Sequence, residues 1–212
     1  MPDASSWLRC ITRFGDSALL LPLTFYLTAA LWKTESLATA IHYLCAIAFC
    51  AVATVALKII FMACGSYWGP DIVTPSGHAG MALSVYGTAA IVFCYRSPSW
   101  QRPWLLTIAV TLVCAVAISR VALSAHSVDE VAVGLGVGAL SVLWFAWHYA
   151  RLRKPGGRSL LLFIGALVLI LALHRVSFGF EDEIERIAVR TQTMLHFCPG
   201  AAVSNQRQPN LN

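Results

Sequence analysis

Long apolar runs separated by short polar breaks dominate the chain. Six can be traced, roughly Ser17–Trp32, Leu37–Ile60, His78–Cys94, Trp104–Ile118, Val128–Ala150 and Ser159–Leu173. A helix needs about 20 apolar residues to cross the hydrocarbon core. The second and fifth runs meet this length, whereas the first, fourth and sixth need flanking residues to complete a span. No segment alternates with the period of two that barrel strands require. The breaks at Lys33–Glu35, Gly65–Gly77, Ser97–Pro103, Ser124–Ser127 and Pro155–Gly157 carry the turn formers. This pattern predicts an all-α integral membrane bundle of about six transmembrane helices. It gives a transmembrane domain over residues 1–178 and a C-terminal amphipathic helix with a polar tail over 179–212.

Composition strengthens that picture. Of the 212 residues, 58% are hydrophobic and 12% charged, about half the charge of a soluble domain. Mean hydropathy is +0.70. Disorder and a soluble globular enzyme are both disfavoured. Between Ser36 and Phe180 the only carboxylates are Asp71, Asp129 and Glu130, and acids retained inside a membrane domain invite a functional reading. Seven cysteines are mostly embedded in apolar runs and read as small hydrophobes; a disulfide among Cys10, Cys64 and Cys198 is disfavoured. The N-terminus shows no pattern of a removable signal peptide.

The net charge of +5 reads as loops facing an anionic leaflet, not as nucleic-acid binding. Lys33, Arg96, Arg102, Arg151, Arg153, Lys154 and Arg158 fall in breaks that share one face if the runs alternate, and the positive-inside tendency makes that face cytoplasmic. The Gly65–Gly77 and Ser124–Ser127 connections, and both termini, then face outward. Arg9 and Arg13 run against the rule. The segment Ser5–Phe14 is expected as an amphipathic helix on the outer surface. The tryptophans near run ends read as an interfacial belt.

The outward connections gather chemistry at one membrane face. Lys58 ends the second run, Thr74-Pro75-Ser76-Gly77-His78 opens the third, Ser119-Arg120 closes the fourth, and His126 opens the fifth with Asp129 and Glu130 behind it. Ser76 suits a helix N-cap, and the free N–H groups of that helix start suit an anion. Lys58 and Arg120 add cations for phosphate oxygens. His126 and Glu130 are four apart, on one helix face, so the carboxylate can hold one ring nitrogen and leave the other aimed at substrate. His78 is free to act as an acid.

This pattern resembles the type 2 phosphatidic acid phosphatases, whose signature reads K-x6-R-P, then P-S-G-H, then S-R-x5-H-x3-D. The second part is intact as Pro75–His78. The third runs Ser119-Arg120, His126, Glu130, with Glu in place of Asp; Asp129 stands one position early. In the first part Lys58 fits, but Gly65-Ser66 replaces Arg-Pro. The resemblance spans roughly Lys58 to Gly138.

It implies a metal-free, cofactor-free, two-step phosphoryl transfer with the active site at one membrane face. His126 would become a phosphohistidine, His78 would protonate the leaving group, and Lys58, Ser76, Gly77 and Arg120 would bind phosphate. The expected partners are a lipid phosphate or pyrophosphate substrate and the surrounding lipids, in a bacterial-type inner membrane with a periplasmic site. A phosphotransferase using the same intermediate, and a catalytically silent lipid-phosphate binder or transporter, stay open at this level. His42, His148 and His174 read as helix–helix hydrogen bonders and Asp71 as a turn residue. Gly134-Leu135-Gly136-Val137-Gly138 follows a helix start, not a strand, and so reads as close helix packing in preference to a nucleotide loop.

Overall fold

The computed structural model describes the backbone of residues 4–64, 74–152 and 159–173, and the side chains of 6–61, 74–152 and 164–173. The expected C-terminal amphipathic helix, His174, Asp71 and Gly65 lie outside the described residues. Everything described is helical or turn. The elements are α1 (Ala4–Thr12), a 3-10 turn (Arg13–Gly15), α2 (Ser17–Thr34), α3 (Leu37–Cys64), α4 (Gly77–Arg96), α5 (Arg102–Ala122), α6 (Val128–Leu152) and α7 (Ser159–Leu173). Among the described residues, five helices are long and apolar enough to cross a membrane: the one ending at Thr34, then α3, α4, α5 and α6. The sixth run forms α7, whose 15 residues rise about 22 Å at 1.5 Å each.

Each boundary has a local cause. Asp16 caps α2, its carboxylate accepting the Ala18 N–H at 2.9 Å. Pro103 lies in the first turn of α5, where its missing N–H costs nothing. The α5–α6 turn is tight enough to put Ser124 at φ 54, a left-handed conformation that non-glycine residues adopt sparingly.

The α4 helix is the axis of the bundle, packing on α2, α3, α5 and α6. Leu20, Leu23, Leu27 and Leu31 line one face of α2 at helical spacing and bury against Tyr43 and Ile47 of α3, Val85 and Val92 of α4, and Phe145 and Tyr149 of α6. Outward-facing Ile108, Val110, Ile118, Leu140 and Leu143 stay exposed, as side chains that meet hydrocarbon do. A polar thread also crosses the core: Ser84 Oγ meets Ser141 Oγ at 2.6 Å, and Ser141 donates to the Ala46 carbonyl at 2.7 Å. His42 and His148 stack with ring centroids 4.2 Å apart, joining α3 to α6.

Glycine sets the closest contact. A Cβ on Gly138 would lie 2.5 Å from the Gly80 carbonyl oxygen, and one on Gly80 2.8 Å from the Gly134 carbonyl oxygen. A Cβ on Gly134 would collide with the Ser76 carbonyl. So α4 and α6 meet backbone to backbone, the small-residue contact available where lipid supplies no hydrophobic drive. Gly136, between them in sequence, faces open space.

At the end opposite the α4 N-terminus, Arg96 is buried beside Glu35, with Nε and an Nη at 3.1 and 2.7 Å from Oε1. Thr34 Oγ1 accepts from the same Nη at 2.7 Å, and Tyr149 donates to Glu35 at 2.9 Å. Arg96 is therefore an internal clamp between α2, α4 and α6, not a solvated loop charge as the break pattern suggested. Exposed Trp32, Trp100, Trp104 and Trp147 gather at this end, with Arg151 over the Trp147 ring at 4.4 Å.

The glycine contacts predict a sharp contrast. Gly138→Ala lowers stability by roughly 1–3 kcal/mol, the usual cost of overpacking. Gly136→Ala is neutral or stabilising by up to about 1 kcal/mol, the helix-propensity gain. Thermal unfolding of the two variants in detergent checks this; equal destabilisation would mean the backbones do not touch.

Candidate active site

Alternation of the helices brings the starts of α2, α4 and α6 and the ends of α3 and α5 to one face. A small apolar cluster of Ala79, Ala117 and Val131 draws α4, α5 and α6 together just beneath it. Polar chemistry above that cluster is organised by Glu130, which is 6% exposed.

Ser127 and Glu130 form a reciprocal cap on α6. The Ser127 Oγ accepts the Glu130 N–H at 3.2 Å, and Glu130 Oε2 accepts the Ser127 N–H at 3.1 Å. The same Oε2 lies 2.8 Å from His126 Nδ1, with both side chains almost fully buried. A carboxylate only accepts, so Nδ1 carries the hydrogen, which in the uncharged tautomer puts the lone pair at Nε2. The other oxygen, Oε1, accepts the Thr74 N–H at 2.7 Å, and the Glu130 backbone carbonyl accepts the Ser76 N–H at 3.0 Å. One residue thus holds both the His126 ring and the Thr74–Ser76 loop. Asp129, by contrast, is exposed.

His126 is fixed from its other side too. The Arg120 carbonyl accepts the N–H groups of Ala125 at 3.0 Å and His126 at 3.3 Å. The Ser119 hydroxyl is fully buried and donates to the Val116 carbonyl at 2.7 Å, so its part is to shape the end of α5.

Ser76 occupies the N-cap position of α4, as expected, but its hydroxyl makes no capping bond. It is fully buried without a hydrogen-bond partner. Such an atom in a tightly bonded loop is a vacant donor and acceptor. Lys58, Gly77 and His78 line a cavity of about 150 Å³, together with Thr54, Gly15, Ser17 and the apolar Leu21, Ala51, Val55 and Met81. The buried Thr54 Oγ1 also has no partner. Cavity lining joins Lys58, Gly77 and His78; hydrogen bonds join Ser76, Arg120, His126 and Glu130; the Ser76–His78 loop belongs to both sets.

Three features escaped the motif reading. The cap at Ser127 was legible as S-x-x-E at Ser127–Glu130. Thr54, one turn before Lys58, and Gly15, from the N-terminal turn, carry no sequence signal and reach the site only through helix packing.

Residues 60–155 match the PAP2 superfamily. The match covers 60–155 of the 212 residues and agrees with the resemblance of the motifs to the type 2 phosphatidic acid phosphatases. The matched segment holds the Pro75–His78 and Ser119–Glu130 elements and begins just after Lys58, where the first motif is eroded. Phosphatase-type activity in a helical membrane protein is what this family suggests. No curated protein and no solved structure matches the chain. Among the described residues no group of three or more His, Cys, Asp or Glu side chains is placed to hold a metal ion.

The double grip of Glu130 makes its variants informative. Glu130→Gln must turn an amide NH2 toward either the Nδ1–H of His126 or the Thr74 N–H, donor against donor. A triad carboxylate-to-amide change costs about ten-thousand-fold in a serine protease; turnover here should fall on the order of a hundredfold or more. Glu130→Asp keeps the charge but cannot span both partners, and should lose less. Asp129→Asn should stay near wild type. Steady-state kinetics at equal folded protein ranks the three; a crippled Asp129→Asn would reverse the assignment.

Proposed function

We propose that the protein is a metal-independent lipid phosphatase, hydrolysing a lipid phosphate or pyrophosphate through a phosphohistidine. The observation that carries this reading is the 2.8 Å contact of His126 Nδ1 with Glu130, which leaves Nε2 as a directed nucleophile in a ring that gains positive charge as it reacts. Nε2 attacks phosphorus and the P–O bond to the leaving group breaks, its electron pair staying on that oxygen. His78 supplies the proton. Water then attacks the phosphohistidine, the P–N bond breaks back to His126, and the water proton returns to His78.

Lys58, Arg120, Ser76 and the N–H groups of Gly77 and His78 hold the phosphoryl oxygens. The free amides of the α4 start and its dipole suit the added charge of a five-coordinate transition state. Phosphoryl transfer asks for little beyond such positioning and clamping. Apolar walls beside Lys58 and His78 suit a substrate presented from the bilayer rather than a free sugar phosphate. A phosphotransferase would share the first half-reaction and differ in the acceptor; a labelled hydroxyl acceptor in the assay distinguishes them.

The proposed setting is the inner membrane of a bacterial-type cell, with the site on the extracytoplasmic side. Exposed Lys33 and Arg151 and the tryptophan-rich end support this, since that end would face the cytoplasm. In a protein otherwise free of cysteine, Ser99→Cys should react with an impermeant thiol reagent only from the cytoplasm, and Ala125→Cys only from outside. The opposite pattern reverses the orientation.

His126→Ala should abolish phosphate release from a panel of lipid phosphates and pyrophosphates. His78→Ala should be nearly as severe with alkyl esters but mild with a leaving group that needs no proton, such as nitrophenolate. Release should persist in EDTA. Equal losses of the His78 variant on both substrates would refute its acid role, and EDTA inactivation reversed by a divalent ion would refute the metal-free route.

A further inference from the structure

The bundle holds a second cavity, of about 260 Å³, lined by α2, α4, α5 and α7. The cavity of Lys58 and His78 is lined by α2, α3 and α4, so α2 and α4 stand between the two. The α4 wall of the second cavity is Tyr86, Ala89, Ala90 and Phe93, and its α5 wall is Leu105, Ile108, Ala109 and Leu112. Both sets fall at i, i+3, i+4 and i+7, a single stripe on each helix. Stripes of that length run about 10 Å at 1.5 Å per residue, and the space is a slot along the bundle. Alanines stand in the middle of both stripes between larger side chains, which is where the room comes from.

Helix packing explains why the slot is open. On one side α7 docks on α2, where a Cβ on Gly165 would collide with the Tyr26 hydroxyl. On the other, α5 packs on α4, while α5 and α7 have at most marginal contact with each other. The slot reaches inward to Leu23, Leu27 and Ala166, which are buried in the core. Its lips, Ile108, Leu167 and Leu171, are exposed, continuous with the outward surface that meets hydrocarbon.

The lining offers a polar occupant nothing. Among the described residues Tyr86 carries its one polar side chain, and that hydroxyl donates to the Phe14 carbonyl at 2.7 Å. A water would need two to four polar partners, and an empty void forfeits the dispersion contacts of its walls. Between membrane-crossing helices the filling medium is hydrocarbon.

We propose that the slot binds one acyl chain of a bilayer lipid, inserted between α5 and α7 and distinct from the substrate. The Arg13–Gly15 turn separates the two cavities: Phe14 lines the slot, and Gly15 lines the cavity of Lys58 and His78. The same turn links the lipid to the site. A Cβ on Gly15 would lie 3.2 Å from both the Cβ and the carbonyl oxygen of His78, so the turn sits flush on the first turn of α4. A chain packed against Phe14 backs that seat. The lipid site stands whether or not the protein is a hydrolase.

The test mixes purified protein in short-chain detergent with a phosphatidylcholine that carries a diazirine at the end of one acyl chain. After photolysis the labelled peptides are mapped. Label should fall on residues 105–112 of α5 and 166–171 of α7, saturating at about one lipid per chain. Ala109→Leu, which puts a larger side chain in the middle of the slot, should cut this labelling about tenfold or more. It should also remove the rise in unfolding temperature that the same lipid gives wild type. Val110→Ala, on the exposed face of α5, should change neither. If Ala109→Leu does not fold, Ala90→Val and Ala166→Val are compared by the same two readouts. Label that spreads over the outward faces of α3 and α6, grows without saturation and ignores Ala109→Leu overturns the proposal, leaving surface lipid only. A slot that stays unlabelled overturns it too, and leaves the space to another part of this chain or to a second copy. A slot labelled by phosphatidic acid with the same diazirine chain, but not by phosphatidylcholine, overturns it in favour of the substrate's own tail.

Discussion

Glu130 is the constraint on which the site depends. Its two carboxylate oxygens and its backbone carbonyl together take four N–H donors, from Thr74, Ser76, His126 and Ser127. Those donors belong to the helix it starts, the ring it orients and a loop more than fifty residues earlier. A buried carboxylate is costly unless its acceptors are filled, and here the filling groups are the parts that must be aligned. The site is therefore assembled by the same bonds that make the acid tolerable in its buried position. A side chain one methylene shorter reaches fewer of them, which gives a physical meaning to glutamate where the family motif has aspartate.

Packing serves the same alignment. Backbone contact at Gly80, Gly134 and Gly138 fixes how deep α4 sits against α6, and Gly134 lies directly under the Ser76 carbonyl. A helix pair spaced by side chains could shift by fractions of an ångström as rotamers change. Backbone against backbone leaves no such slack, and the proposed chemistry would be sensitive to displacements of that size. The apolar exterior needs no comparable precision, and its Ile, Leu and Val side chains are interchangeable by volume.

Much of this was legible in the sequence because membrane constraints are coarse and local. Run length gives the helices, alternation gives a shared face, and the i, i+4 spacing of His126 and Glu130 gives their contact. The packing role of Gly134 and Gly138 followed from their place after a helix start, whereas the openness of Gly136 needed coordinates. Two kinds of information were not in the pattern. Arg96 looked like a loop charge because its partner, Glu35, is 61 residues away, and long-range pairing leaves no periodic trace. Ser76 was read as a capping hydroxyl because its position is that of a cap, but the loop gets its bonds from Glu130 and leaves the hydroxyl over. The segment Ser5–Phe14 was expected as a surface helix, but the helix ends at Thr12 and Gly15 of the following turn seats on His78 through packing that no local signal encodes.

The clamp of Arg96 with Glu35 and Tyr149 acquires a further meaning beside the Glu130 network. The two lie at opposite ends of α4, and the glycine contacts lie between them. Removing one partner from a buried ion pair typically costs about 3–5 kcal/mol, so neither end is readily released. A carrier that exposes its cargo first to one side of the membrane and then to the other must rock one group of helices against another about a central site. Here the central helix is held at both ends and along its length, and each such swing would have to break buried bonds at both ends of the bundle. A rod held in this way resists such rocking, and leaves the cavity beside Lys58 and His78 with its mouth at one end of the bundle.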